Sequence, residues 1–422
     1  MAKKTGKPFR LRVLIRRIIA GILPRKWAYA NLRKGLRLDL TLPPNLTFKI
    51  ADTREELEAA FQLLHDRYVQ SGYMDPHPSG LRVTKYHSLP STTTLIAKWD
   101  DQVVGTVSMV RRSSFGVPLE SIFDISSILA TGERVLEVSA LAIRPDFSGK
   151  HGQILFPLIK FLIRYSLEYF GTKYFVIAVH PTWIDFYRAI LLFQPLTKHN
   201  LVDTYSFVNG APAVGGVLNL EQLKVDSIKV YAGEPPERHF HNYLWKMETP
   251  NFRFPDRTFR KISDPVLTPN LLDYFFNQKT KTLSEMNERE ISVLRELYKE
   301  ESFRAVLPEP PTRTNAFYLR RERRFETQCH GVIRTPKSLP IPLIVTDVSE
   351  KGIRVLANRH LRDNEIYQLE VEVGDSEIAK LSARKLWNEG STLIYGMEIL
   401  DSTVEWTNFV NRHLMDFQRK VS

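Results

Sequence analysis

The sequence predicts an α+β protein made of a mixed helix–strand unit, a helical connector and an antiparallel β-barrel. Three observations carry this. Between residues 45 and 220, short apolar runs alternate with segments of helical period. Residues 221–314 are punctuated by prolines and contain one strong amphipathic stretch. From 315 to 420, five strand-like runs recur at regular spacing before a last helical segment.

The mixed unit opens with a short strand, Phe48-Lys49-Ile50, and a helix capped at Asp52-Thr53 with Glu55 and Glu56 in its first turn. Leu57, Phe61, Leu64 and Tyr68 form that helix's apolar stripe. Strands follow over Thr94–Ala97, Val103–Val110 and Val135–Ile143, the first two joined by a turn at Asp100-Asp101-Gln102. Ile154–Phe170 reads as a helix, Tyr174–Val179 as a buried strand, Trp183–Leu192 as a helix and Gly215–Leu220 as the closing strand. In the connector, Leu283–Leu297 reads as a helix capped by Ser284. Pro308-Glu309-Pro310-Pro311 is a stiff break. Strands are expected at 342–346, 352–356, 366–373, 381–387 and 393–399, and a helix at 405–417.

Composition bounds the function. A hydrophobic share of 43% over 422 residues supports more than one core. A single cysteine, Cys329, excludes an intrachain disulfide and points to a reducing compartment. No run approaches the ~18 apolar residues of a spanning helix, and no secretory cleavage pattern follows an apolar run. The net charge of +12 is concentrated: residues 1–44 hold twelve Lys and Arg against Asp39, leaving the other residues nearly neutral. A broad nucleic-acid surface is therefore not expected. Within this segment Leu11, Leu14, Ile15, Ile18 and Ile22 share one helical face, with Arg10, Arg12, Arg16 and Arg17 around the other. Residues 1–44 read as a basic amphipathic segment for an anionic membrane surface. A helix docked on the protein's own core is the alternative.

Near the proline break, Arg320 and Arg324 have RxxxR spacing, and Asp347, Ser349 and Gly352 follow as DxSxxG. This pair of motifs resembles the PilZ domain, a bacterial β-barrel receptor for cyclic di-GMP, over residues ~316–418. Arginine forks suit both phosphate and the O6/N7 edge of guanine. Aspartate accepts from guanine N–H donors. The resemblance implies that Arg320, Arg324, Asp347, Ser349 and Gly352 bind the nucleotide, with Arg321 as an extra contact.

In the first unit, Gly105-Thr106-Val107-Ser108 leads into a strand. Glu137-Val138-Ser139-Ala140-Leu141-Ala142-Ile143 runs through the 146–152 loop into a helix, and His180-Pro181 precedes Phe186-Tyr187-Arg188. This order resembles the GNAT acyltransferases, in which a phosphopantetheine arm lies between two splayed strands. Arg67-Tyr68, Gly72-Tyr73, the Glu137 strand and Pro212–Gly216 resemble the branch of N-acyl amino acid synthases and acyl-homoserine-lactone synthases. Ala140 stands where the lactone synthases carry Arg, which disfavours a homoserine-lactone product. The Ser148–Gly152 loop is degenerate relative to the CoA loop, which favours acyl carrier protein over acyl-CoA as donor.

The resemblances thus imply transfer of a long acyl chain from acyl carrier protein to an amino acid in a bacterial cell, under cyclic di-GMP control, and the basic segment places it at the inner membrane surface. Glu137 is the candidate base, acting through water, and Tyr187 the candidate proton donor to the leaving thiolate. Each has a structural alternative: Glu137 as the ion-pair partner of Arg67, and Tyr187 as a core aromatic. His180 and His151 are read as structural, and His239-x-His241 as a surface pair; no metal is expected. The competing function is a non-catalytic cyclic di-GMP receptor with a degenerate acyltransferase fold.

Overall fold

The computed structural model describes residues 25–199, 201–256, 264, 266–309, 324–335, 338–363, 365–374, 377–388 and 393–421. The apolar stripe of residues 11–22, Arg320, Arg321 and the Pro310-Pro311 end of the proline break lie outside these, as do the side chains of residues 148–151.

The chain begins with α1 (Arg25–Lys34), β1 (Leu46–Ile50) and α2 (Arg54–Gln70). Thr53 caps α2 by accepting from the Glu56 N–H at 3.2 Å, while the neighbouring Asp52 carboxylate is taken by Lys49 at 2.7 Å. Then come β2 (Thr92–Trp99), β3 (Gln102–Arg111), β4 (Val135–Ile143), α3 (His151–Phe170), β5 (Tyr174–Val179) and α4 (Ile184–Ile190). The unit ends with β6 (Gln194–Pro195), β7 (Leu201–Tyr205), β8 (Ala211–Asn219), α5 (Leu220–Val230) and β9 (Phe252–Arg253). The sheet order is β6-β8-β5-β4-β3-β2-β1-β9, with β7 pairing β8.

Strand alternation sends side chains to opposite faces, so two cores flank this sheet. In β2, Leu95 and Ala97 enter one core and Ile96 the other. The first core holds Ile154, Leu158, Phe161 and Tyr165 of α3 with Phe240 and Tyr243. The second holds Leu57, Phe61 and Leu64 of α2 with Phe275 and Phe276. The connector helix α6 (Glu288–Leu297) joins this second core through Ile291, Leu294 and Leu297.

The helix expected from Leu283 with a Ser284 cap starts five residues later. Asn287 is the cap: its side chain accepts from the Glu290 N–H at 3.0 Å, and the Glu290 carboxylate accepts from the Asn287 N–H at 3.1 Å. The Ser284 hydroxyl instead donates to Lys281 O at 2.8 Å. The 220s, unread in the sequence, form α5, capped by Asn219.

Strands β10 (Phe325–Thr335), β11 (Ser338–Val348), β12 (Gly352–Ala357), β13 (Ile366–Glu372), β14 (Ile378–Asn388) and β15 (Ile394–Ser402) close a barrel in the order β10-β11-β12-β15-β14-β13. Every pairing in it is antiparallel. Helix α7 (Val404–Val421) supplies Trp406, Phe409 and Val410 to its core. Ile344, Leu356 and Ile394 face outward and share the second sheet core with α6. The Glu296 carboxylate, 6% exposed, fastens this seam. It receives Thr346 Oγ1 at 2.5 Å, Arg354 Nη2 at 2.7 Å and Lys299 Nζ at 3.4 Å. No helix among the described residues is long and apolar enough to cross a membrane.

Candidate active site

Strands β4 and β5 run parallel and pair only from Val135–Glu137 to Tyr174–Val176. Beyond Glu137 they part, while β4 stays paired to β3 as far as Ile143 and β5 to β8 as far as Val179. The wedge between them leaves backbone groups of β4 outside the ladder. A bulge sharpens it. Thr106 pairs Ala142 and Ser108 pairs Ser139, so Ala140 and Leu141 together face the single residue Val107. Ala140 takes φ +56°, a left-handed conformation rare for a residue with a Cβ.

A cavity of about 370 Å³ fills the wedge. Its walls are Val138–Ile143 of β4, Ala178 and Val179 of β5, Tyr187 of α4, Tyr205 at the end of β7 and Phe207 just after it. Arg67, Tyr73, His180 and Trp183 also line it. A small apolar recess continues inward past Val138, Leu141 and Tyr187 toward Leu158, Leu162 and Phe193.

Glu137 sits where the strands part and is 2% exposed. Burial pushes its carboxyl up to about 8, the Glu120 charge adds to this, and the Leu119 N–H, donating at 2.7 Å, opposes it. Among the described residues its hydrogen-bond partner is that peptide group and not Arg67, which instead donates to Gln70. The alternative of a Glu137–Arg67 ion pair is not formed among the described residues: a backbone amide reaches the carboxylate, while Arg67 bonds within its own helix. Around Glu137 stand Tyr68, Tyr86 and Tyr205, each raised by burial and further by the Glu137 charge. The Tyr205 hydroxyl is buried without a hydrogen-bond partner among the described residues; nearby Ser121 gives its own hydrogen to Pro118 O. Arg82 lies 4.1 Å over the Tyr68 ring and donates to Phe207 O at 2.9 Å. Its charge opposes the rise at Tyr68. Burial pushes Tyr187 up to about 12.

The structure brings Glu137, Tyr187 and Arg67 to one cavity. Arg82, Tyr86 and Tyr205 were not marked in the sequence, because no spacing ties positions 82, 86 and 205 to position 137. His180 closes a local turn, its Nδ1 accepting from the Thr182 N–H at 3.3 Å. The surface expectation fails for His241, which is buried with Nδ1 2.9 Å from Ser227 Oγ. His239 caps the next helix by accepting from the Asn242 N–H.

The start of α3 is crossed by the N-terminal segment. A Cβ on Gly152 would stand 3.2 Å from Arg37 O and 3.6 Å from the Asp39 carboxylate. In the barrel, Arg324, Asp347, Ser349 and Gly352 converge. Arg324 Nη1 donates to Asp347 Oδ1 at 2.6 Å, and the Ser349 N–H donates to Gly352 O at 2.8 Å. A Cβ on Gly352 would stand 2.6 Å from Arg324 Nη2 and 3.0 Å from Ser349 Oγ, so a larger residue there would displace the guanidinium. A cavity of about 400 Å³ between α6 and β10 is larger than the wedge. It follows the Glu296 seam and is lined by residues that hold the barrel to α6.

Residues 59–219 match the family model described as N-acyl amino acid synthase FeeM. No curated protein matches the chain. Among solved structures it is similar to FeeM, an N-acyl amino acid synthase from uncultured soil microbes. That likeness has 23% identity over 43% of this chain and 95% of that one, with a TM-score of 0.37. It is also similar to the CoA-dependent acyl-homoserine lactone synthase BjaI with SAM and isopentyl-CoA, at 16% identity over 51% and 97% of the two chains and a TM-score of 0.35. A third likeness is the ribosomal-protein-S5-alanine acetyltransferase from Vibrio fischeri, at 10% identity over 43% and 97% and a TM-score of 0.30. The matched residues run from within α2 to the end of β8 and include the wedge, Glu137 and Tyr187.

Proposed function

We propose that the chain is an N-acyltransferase that moves a long acyl chain from acyl carrier protein to the amino group of an amino acid. The observation that carries this is Glu137, a buried carboxyl at the apex of a strand wedge that opens onto an apolar recess. The thioester carbonyl lies in the wedge, where unpaired β4 N–H groups receive its oxygen as charge develops. The acyl chain runs toward Leu158 and Phe193. The amine attacks the carbonyl carbon, the C–N bond forms and the C–S bond breaks. Glu137 takes the amine's proton, directly or through one water. Tyr187 gives a proton to the leaving thiolate. A base near 8 suits this work, since it is poised close to working pH. An incoming ammonium favours its charged form. Arg67, whose side chain bonds the neutral Gln70, takes the acceptor's carboxylate. The Asp39 carboxylate beside the first turn of α3 disfavours the pyrophosphate of CoA more than the single phosphate of a carrier protein.

The barrel is proposed as the receptor for cyclic di-GMP, supported by the convergence of Arg324, Asp347, Ser349 and Gly352. Arg320 completes the set by resemblance. The nucleotide takes Arg324 from Asp347 and regulates transfer.

The test is mass spectrometry of reactions containing the full chain, palmitoyl-carrier protein or palmitoyl-CoA, and a mixture of amino acids, with and without cyclic di-GMP. We expect N-acyl amino acids, formed faster from the carrier protein. No acylated amine from either donor sinks the enzyme reading. Equal kcat/KM for the two donors sinks the donor preference.

A further inference from the structure

We propose that the N-terminal end of α1 and the start of α4 form one docking surface for an anionic lipid bilayer, set beside the mouth of the wedge cavity. Helix α1 packs on α4 in parallel: Tyr29 donates to Asp185 at 3.2 Å, and one turn later Arg33 donates to Ala189 O at 3.2 Å. The first residues of α1 therefore lie beside Trp183, which immediately precedes α4 and lines the cavity. Two indoles stand out at this end, Trp27 at 65% and Trp183 at 60% exposure. Arg25 and Lys26 immediately precede Trp27, and Lys34 and Arg37 are exposed farther along. None of these four cations forms an ion pair among the described residues, and α1 contains no acid.

A folded protein leaves two large indoles in water beside uncompensated cations at a cost. Tryptophan at the headgroup level, with Lys and Arg next to it, is the arrangement an anionic bilayer rewards. The chain that precedes α1 adds to the argument. Its 24 residues carry seven Lys and Arg and no Asp or Glu, and they lead directly to Arg25. A soluble acidic partner would use the charges but has no need for the apolar spacing of Leu11, Leu14, Ile15, Ile18 and Ile22. The occupant is therefore a bilayer. With the surface seated, the cavity mouth faces lipid, and an N-acyl product leaves into the membrane without crossing water. This last step rests on the proposed acyl transfer; the docking itself does not.

The experiment uses the full chain with vesicles of phosphatidylcholine alone or with 30 mol% phosphatidylglycerol (roughly the anionic fraction that gives juxtamembrane cations their pull). Binding is read by flotation, and the indoles by quenching from lipids brominated on the acyl chain. Selective binding to the anionic vesicles is expected, weakening with salt. Arg25→Ala/Lys26→Ala should lower the affinity on the order of twentyfold, about fivefold for each charge. Trp27→Phe/Trp183→Phe should remove most of the quenching while the protein stays folded by circular dichroism. Equal binding to neutral vesicles, an unchanged affinity in the charge variant, or quenching that persists without the two indoles overturns the proposal. So does a charge variant that slows transfer from acyl carrier protein yet binds vesicles like the parent, because the surface then serves the carrier. Transfer is assayed separately in detergent micelles, so an inactive enzyme leaves the vesicle result intact.

Discussion

Glu137, the proposed base, links the proposed chemistry to the stability of the fold. Its carboxyl moves from 4.5 in the unfolded chain to about 8 when buried. Between those values the folded state holds a proton that the unfolded state has lost. The contribution is fully present below 4.5 and is lost as pH rises through 8. Glu137→Gln cannot ionise and keeps an oxygen for the Leu119 N–H. In thermal melts the variant should match the parent at pH 5 and exceed it at pH 9, by on the order of a few kcal/mol at 1.36 kcal/mol per unit. Its kcat/KM should fall by about 10²- to 10⁴-fold. In the parent, kcat/KM should rise with pH to a plateau above 8, and this limb should be missing from the variant's residual rate. A variant less stable than the parent at pH 9 would mean that the carboxylate is held charged by partners and is not strained by burial.

At the scale of elements, the Glu296 seam shows how a connector becomes structure. Three donors converge on one carboxylate at the end of α6, two of them from β11 and β12. Glu296→Ala leaves Arg354 facing the seam without that partner. Arg354 keeps about a fifth of its side-chain surface in water, so the cost sits at the low end for a broken buried pair, about 3 kcal/mol by urea unfolding. A loss under about 0.5 kcal/mol, the size of an exposed pair, would show the seam to be decorative. Elements differed in how openly the sequence announced them. Val135–Ile143 and Tyr174–Val179 were legible to the residue, because short runs dominated by β-branched and apolar side chains have few other uses. The start of α6 was misread because two polar residues, Ser284 and Asn287, compete for the cap, and only Asn287 has a glutamate three residues on. The bulge at Ala140 was invisible, since alanine gives no sign of a positive φ. Glu137 and Tyr187 stood out as polar groups within apolar runs, whereas Arg82, Tyr86 and Tyr205 become neighbours only through the sheet and its crossing loops.

At the scale of the whole molecule, the barrel site is joined to α6 through adjacent residues. Asp347 pairs with Arg324, and Thr346 before it donates to Glu296. Gly352 begins β12, and Arg354 two residues on reaches the same carboxylate. A ligand that draws Arg324 away from Asp347 acts on the strand ends that fasten the barrel to α6. It shifts transfer only if it binds one seam arrangement better than another. By calorimetry, Arg324→Ala should weaken cyclic di-GMP binding tens to a hundredfold, about 2–3 kcal/mol. Glu296→Gln should leave that affinity near the parent's while flattening the nucleotide's effect on transfer. A nucleotide response that survives Glu296→Gln would route the coupling elsewhere.

The second sheet core, shared by α2, α6 and the outer face of the barrel, has a consequence for descent. Fusion proteins are often thought of as beads, exchanged between lineages by cutting at a linker. Here a cut on either side of α6 would strand Leu294 or Ile344 in water. A lineage that traded this barrel for another sensor would have to rewrite α6 and the apolar face behind it in the same step. Inheritance should therefore treat barrel, connector and wedge as one piece, with substitutions at Glu296 and Arg354 arising together.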